Sequence, residues 1–206
     1  MTEKFMRDAL MLWATIDPIG NLSMFLGVTA GLTVAQRRKI ALKATLYAFA
    51  ILLGAIVIGQ ILLSGMGIQL ISLQVGGGLI LCLFALQMIF GAVGQTPSGE
   101  LDADHDVAVF PIAVPSIAGP GAIMAAIVLT DNHLYSLPMQ AATVGIMFVV
   151  LAVCYGLMLG ADPILRVIGK PGAAILIRVT GIILVALSVE LIFEALGIEK
   201  WLIPPL

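Results

Sequence analysis

Charge is scarce in this chain. Lys and Arg number 10 and Asp and Glu 12 among 206 residues, 11% in all. A soluble globular domain carries about 25% charged residues, so this chain cannot cover a water-facing surface. Hydrophobic residues make up 61%, and the composition reads as an integral membrane protein. The net charge of -2 gives no hint of nucleic-acid binding. There are only two cysteines and two histidines. Cys82 and Cys154 lie inside apolar stretches at no metal-motif spacing, so they read as small polarisable core residues rather than a disulfide. His105 and His133 fall in loops, which leaves no plausible Ser/His/Asp set. A P-loop and an HExxH motif are also missing, as are a selectivity-filter-like repeat and a run of gating arginines. The chain is therefore not expected to be an enzyme or an ATP-driven pump, and no cofactor is implied.

Six apolar stretches can cross a hydrocarbon core that takes about 20 helical residues. They lie near Ala9–Ala30, Ala41–Leu63, Ile71–Val93, Val107–Thr130, Leu137–Leu159 and Ala174–Leu196. The first is long, contains Asp17 and lacks a cleavage site of small residues, so it is expected to stay in the mature protein. Positive charge sits in the first loop (Arg37, Arg38, Lys39, with Lys43 nearby) and the fifth (Arg166, Lys170), and Arg178 begins the sixth stretch. The second and fourth loops have none. Loops one, three and five are then expected in the cytoplasm and both termini outside, although Lys4, Arg7 and Lys200 pull the other way.

The third loop, near 94–106, holds Glu100, Asp102, Asp104, His105 and Asp106. It reads as a solvated acidic linker between a first half (1–93) and a second (107–206), forming one membrane domain. A divalent-metal or regulatory site is the sharper alternative, but one His among carboxylates on a Gly/Pro/Ser stretch lacks fixed geometry.

Two helix-breaking motifs interrupt the apolar stretches. They are Asp17-Pro18-Ile19-Gly20-Asn21 and Pro115-Ser116-Ile117-Ala118-Gly119-Pro120-Gly121. A backbone N–H or C=O left without a partner in lipid costs roughly several kcal/mol. Interrupted helices at matching places in two halves therefore point to a solute site near the midplane. The halves echo each other further: Gly78 aligns with Gly181, and Gln87-Met88-Ile89-Phe90 with Glu190-Leu191-Ile192-Phe193. Three helices per half make the repeats cross in opposite directions. The expected fold is an all-α membrane protein of six transmembrane helices. These form two inverted three-helix repeats, with helices 1 and 4 broken near the bilayer midplane. Gly27/Gly31 and Gly156/Gly160 form GxxxG pairs, and Gly76–Gly78 open the third helix, so tight helix contacts are expected there.

Asp17 is the leading candidate for chemistry, because a carboxylate inside a membrane segment needs a cavity or a partner. Pro18 disfavours helix at the residue before it. Gly20 adds backbone freedom, and Asn21 offers donors and an acceptor and can cap the following half-helix. The alternative for Asp17 is structural: capping that half-helix or pairing with a buried Arg. In the second motif Ser116 supplies a hydroxyl, and Gly119 and Gly121 let backbone approach a ligand. A half-helix starting at Pro120 would direct N–H groups at an anion. Its alternative is a simple proline kink. Glu190, one turn before Glu194, is a candidate coupling-ion site alongside Asp17. Its alternative is a pairing with Arg178 or a polar neighbour, with Glu194 at the interface. Gln60, Gln87, Tyr47 and Thr45 are lesser polar candidates.

The first motif followed by Phe25-Leu26, with the second motif running on through Ala122-Ile123, resembles the MarC family of bacterial and archaeal membrane proteins. The resemblance covers essentially the whole chain. Ser23 stands where the family's pattern often has a second proline. The resemblance implies a cytoplasmic (inner) membrane transporter of small neutral amino acids, glycine and alanine among them. The solute would be bound by Asp17, Pro18, Gly20, Asn21, Ser116, Gly119, Pro120 and Gly121, with proton or Na⁺ coupling plausible and uptake and efflux both open. Its partners would be that solute and membrane lipid, with a homo-oligomer left open and no nucleic acid. The rival readings are an exporter or channel for another small polar metabolite, or a non-transporting membrane scaffold.

Overall fold

The computed structural model describes residues 2–91, 106–132 and 134–198, and every regular element among them is helical. The first apolar stretch forms α1 (Thr2–Ile16) and α2 (Pro18–Val28), with Asp17 alone between them. Two long helices follow, α3 (Val34–Met66) and α4 (Leu70–Phe90). A wide-turned segment, Ala108–Ile117, leads into the short α5 (Pro120–Leu129). Helices α6 (Leu137–Leu159) and α7 (Ala161–Leu196) complete the bundle. Among the described residues five stretches are long and apolar enough to cross a membrane, and the bent pair of Ala108–Ile117 with α5 brings the number to six if it is taken as one span.

Local chemistry sets two ends differently from expectation. The Thr33 hydroxyl accepts from Gln36 N–H at 3.3 Å while the Gln36 side chain accepts from Thr33 N–H at 2.9 Å. This reciprocal cap starts α3 early, so Arg37, Arg38 and Lys39 lie in its first turns and not in a loop. The fifth connection is helical too. Arg166 sits within α7, which bends at Gly169 (φ 70°, ψ 165°) just before Pro171. Of the acidic stretch 94–106 only Asp106 is among the described residues. His105, His133 and Lys200 also fall outside them.

Ion pairs show which connections share an end of the bundle. Lys43 meets Asp106 at 3.0 Å and Arg37 meets Asp162 at 2.7 Å. The start of α3, the start of the 108–117 segment and the α6–α7 junction therefore lie together. At the other end Arg7 pairs with Glu194 at 3.0 Å, and Gln60 reaches Thr130 O and Asn132 N.

Large apolar side chains face outward, including Ile61, Leu83, Phe90 and Phe148. Such a surface suits lipid, since a soluble protein would aggregate through it. The interior is built around α5, in which eight of ten residues, Gly121, Ala122 and Met124 to Leu129, are buried. Helices α1, α3 and α4 pack against it.

The most extensive helix pair is α4 with α7, and its glycine contacts are reciprocal. A Cβ on Gly78 would lie 3.0 Å from Ser188 O and 2.7 Å from Ile192 Cγ1. One on Gly181 would lie 3.1 Å from Ala85 O and 2.9 Å from Ile89 Cγ1. The pairs Gly78/Gly181, Ala85/Ser188 and Ile89/Ile192 share one sequence offset. Early α4 thus meets late α7 and the converse, so the two helices run antiparallel. The GxxxG pairs do not mark such contacts. A Cβ on Gly27, Gly31 or Gly156 would meet nothing within 4 Å, and one on Gly160 would touch only α7's Ile164 and its own preceding turn.

Candidate functional site

The first motif exchanges backbone hydrogen bonds for side-chain ones. Asp17 takes a left-handed conformation (φ 48°, ψ 68°), which Asp tolerates better than most residues, and the following proline ring disfavours the right-handed helical region there. Pro18 then occupies the first position of α2, where no N–H is needed. Asp17 Oδ1 accepts from Gly20 N–H at 3.0 Å, so Asp17, and not Asn21, caps α2. A side chain at position 20 would collide with that carboxylate. The Ile16 carbonyl, which Gly20 N–H would serve in an unbroken helix, instead accepts from Asn21 Nδ2 at 2.6 Å.

The second motif bends through its prolines. Phe110 (φ -128°, ψ 126°) and Val114 (φ -129°, ψ 128°) are extended, each directly before a proline that disfavours the helical region there. Ala118 N–H reaches back to Ala113 O at 2.8 Å across a wide turn. Gly119 (φ -75°, ψ 169°) then opens α5 with Pro120 at its first position, and the axis turns by 58°. No side chain caps this helix, unlike α2. A Cβ on Gly119 would crowd Pro115 O at 2.7 Å. Gly121 does not provide the expected open approach for a ligand. Its missing Cβ makes room for Leu81 of α4, whose Cδ1 would be 2.7 Å away.

The two motifs touch. The Ser116 hydroxyl donates to Asn21 Oδ1, and Asn21 Nδ2 also lies 3.9 Å from Cys154 Sγ of α6. Asp17, Pro18, Asn21 and Gly119 are buried, Gly20 and Ser116 half-buried, and Pro115 and Pro120 exposed. Among the described residues no Lys or Arg pairs with Asp17. A cavity of about 140 Å³ lies beside Ile19 and Ser23, walled by α6 and α7. Glu190 is not part of this cluster. It is exposed near the end of α7 and shares a groove of about 400 Å³ with Arg7, Leu10 and Glu194. Arg178 is not its partner, and Glu194 is the residue that pairs with Arg7.

Sequence reasoning missed what happens at the carboxy-terminal ends of α2 and α5. Helices α2 and α5 each end on a fully buried threonine, Thr29 and Thr130. Each hydroxyl donates back one turn at 2.6 Å, to Phe25 O and Ala126 O. Each threonine carbonyl is met by a side-chain N–H: Arg37 Nε on Thr29 O at 3.1 Å and Gln60 Nε2 on Thr130 O at 2.5 Å. Lys4 Nζ adds a contact to Leu129 O at 3.4 Å. Positive groups suit these carbonyl-rich ends. The i, i+4 spacing of Lys4 and Asp8 is the one sequence signal that could have drawn attention there.

Comparison with known proteins places the chain among integral membrane proteins. Residues 2–202 match the family model described as "MarC family integral membrane protein". A "UPF0056 membrane protein" of Archaeoglobus fulgidus is 34% identical over 94% of this chain and 92% of its own length. Another from Aquifex aeolicus is 31% identical over 93% and 92%. The "UPF0056 inner membrane protein MarC" of Escherichia coli is 28% identical over 87% and 88%. No solved structure matches significantly. With the family model spanning nearly every residue, this chain belongs to the MarC family of integral membrane proteins.

Proposed function

We propose that this protein is a carrier, not an enzyme or a scaffold, for small neutral amino acids of the glycine and alanine class. It would work by alternating access between inverted repeats, residues 1–93 and 107–206, in the cytoplasmic membrane. The reciprocal Gly78 and Gly181 contacts in an antiparallel α4–α7 pair support the inverted relation. So does the exchange of partners between halves: α1 and α2 pack on α6, while Ala108–Ile117 and α5 pack on α3. Inverted repeats with discontinuous helices are a recurring transporter architecture.

The observation that carries the reading is the Asn21–Ser116 contact. It links the motif of a buried carboxylate that has no Lys or Arg partner among the described residues to the segment leading into a half-helix whose N-cap residue supplies no side-chain cap. A zwitterion suits that pairing. Its ammonium would meet Asp17 and nearby carbonyls, and its carboxylate the N–H groups at the start of α5. Methyl-sized or smaller side chains fit best beside the tightly packed Gly119 to Ala122.

Proteoliposome uptake of labelled glycine and alanine tests this. A carrier gives saturation and counterflow, a channel gives no counterflow, and a scaffold gives neither. Asp17→Asn sharpens the test, because Asn caps a helix as well as Asp and the melt should hold. Loss of a charge-assisted hydrogen bond of roughly 1.5–3 kcal/mol should weaken half-saturation about 10- to 100-fold. Unchanged half-saturation would remove Asp17 from the solute site.

A further inference from the structure

We infer that the carboxy-terminal end of α5 carries a binding site for a small monovalent cation of the alkali-metal class, filled in this state by the ammonium of Lys4. Lys4 Nζ lies 2.5 Å from Asp8 Oδ2, 3.1 Å from Thr143 Oγ1 and 3.4 Å from Leu129 O. It also stands 4.0 Å from the centre of the Tyr135 ring, a face that attracts cations. A carboxylate, a hydroxyl and a helix-terminal carbonyl are hard oxygen donors from three separate elements, converging on one positive charge. The negative end of the α5 dipole points at the same spot.

Asp8 supplies the second, independent observation. It is fully buried, and its Oδ1 has no hydrogen-bond partner among the described residues. An ammonium has three donors on a flexible stem, and here they are spent on Asp8 Oδ2, Thr143 and Leu129. A free ion is not held by a stem and needs more oxygen ligands, so it would engage the oxygen that Lys4 leaves unused. Lys4 is able to leave. It stands in the first turn of α1 with its side chain 12% exposed, whereas Asp8 at 0% has no route to water. A buried carboxylate stripped of its cation is strongly unfavourable, so withdrawal of Lys4 requires a replacement cation or a proton, and the comparison of salts separates the two. The opposite half-helix offers no equivalent. Arg37 meets Thr29 O and Asp162, but that carboxylate is 54% exposed and can be solvated by water.

Lys4 and Asp8 belong to α1, Leu129 to α5 and Thr143 to α6. Replacing the tethered cation by a free one releases the Lys4 side chain toward water while the ion's own ligands still span α1, α5 and α6, which links ion occupancy to the exposure of Lys4. The site sits at the far end of α5 from Gly119 and requires no assumption about the solute.

The test uses the purified full chain in sodium, potassium or choline chloride at equal ionic strength. Lys4 labelling by an amine reagent is read peptide by peptide, with exposed Lys39 as internal control. The expected result is several-fold more Lys4 labelling in sodium or potassium than in choline, a difference that disappears in Asp8→Asn. A second measurement follows the melting temperature of Lys4→Met, which should rise with sodium or potassium and not with choline. Lys4→Met/Asp8→Asn, which buries no charge, should show no such preference. Equal Lys4 labelling in all three salts overturns the site, and so does a Lys4→Met melt indifferent to which cation is present.

Discussion

Asn21 and Ser116, 95 positions apart, are joined by a hydrogen bond from the serine hydroxyl to the asparagine side-chain oxygen. The same asparagine serves the Ile16 carbonyl through its nitrogen. One side chain thus closes the gap in the first motif and fastens it to the second.

Asn21→Ala is expected to lower stability by about 1–3 kcal/mol, because it strands a buried carbonyl as well as removing hydrogen bonds. Ser116→Ala removes one half-buried hydroxyl and should cost less, about 0.5–1.5 kcal/mol. Denaturation of the purified protein in detergent compares the two. An Asn21→Ala protein as stable as wild type would show that Ile16 O finds another donor.

Gly20→Ala should destabilise mainly by displacing the Asp17 carboxylate from its capping position, at about 0.5–2 kcal/mol for the lost cap. The cost should largely vanish in an Asp17→Ala background, where no carboxylate remains to be displaced. A double-mutant cycle measures this coupling. Strictly additive costs would mean that Gly20 is required for some other reason.

The reciprocal contacts of α4 and α7 give a paired expectation. Gly78→Ala and Gly181→Ala each drive a methyl against a backbone carbonyl, and each should cost about 1–3 kcal/mol. Gly27→Ala and Gly156→Ala meet open space within helices. They should be neutral or stabilise by up to about 1 kcal/mol, from helix propensity alone. Unequal costs at Gly78 and Gly181 would count against the proposed two-fold relation between the halves.

Sidedness is checked by an impermeant thiol reagent on a background lacking Cys82 and Cys154. With loops one, three and five cytoplasmic, Asn132→Cys should label in intact cells and Arg38→Cys only after lysis. Both positions are exposed, at opposite ends of the bundle. The reverse pattern would invert the orientation, and with it the side on which Lys4 and Asp8 lie.

The amino-acid sequence by itself determined the membrane class, the apolar stretches and the position of the turn at Asp17. These follow from local chemistry: too few charges to face water, and a proline that removes a donor and constrains the residue before it. The alignment of Gly78 with Gly181 was also legible, and the structure places each of them in close contact with the other's helix. Only the tertiary structure decided which groups meet. Nothing local to Asn21 names Ser116 or Cys154 as its neighbours, and nothing local to Lys4 places Leu129 and Thr143 around it. The GxxxG pairs and Glu190 show the same limit from the other side. Small residues fall in close contacts only where another helix arrives, and a carboxylate in an apolar stretch joins a site only if its face turns inward. Helices that face lipid on one side and protein on the other are apolar on both, so their sequence hides which face is which. The fold supplies that choice by setting which backbones approach closely and which buried polar atoms satisfy one another.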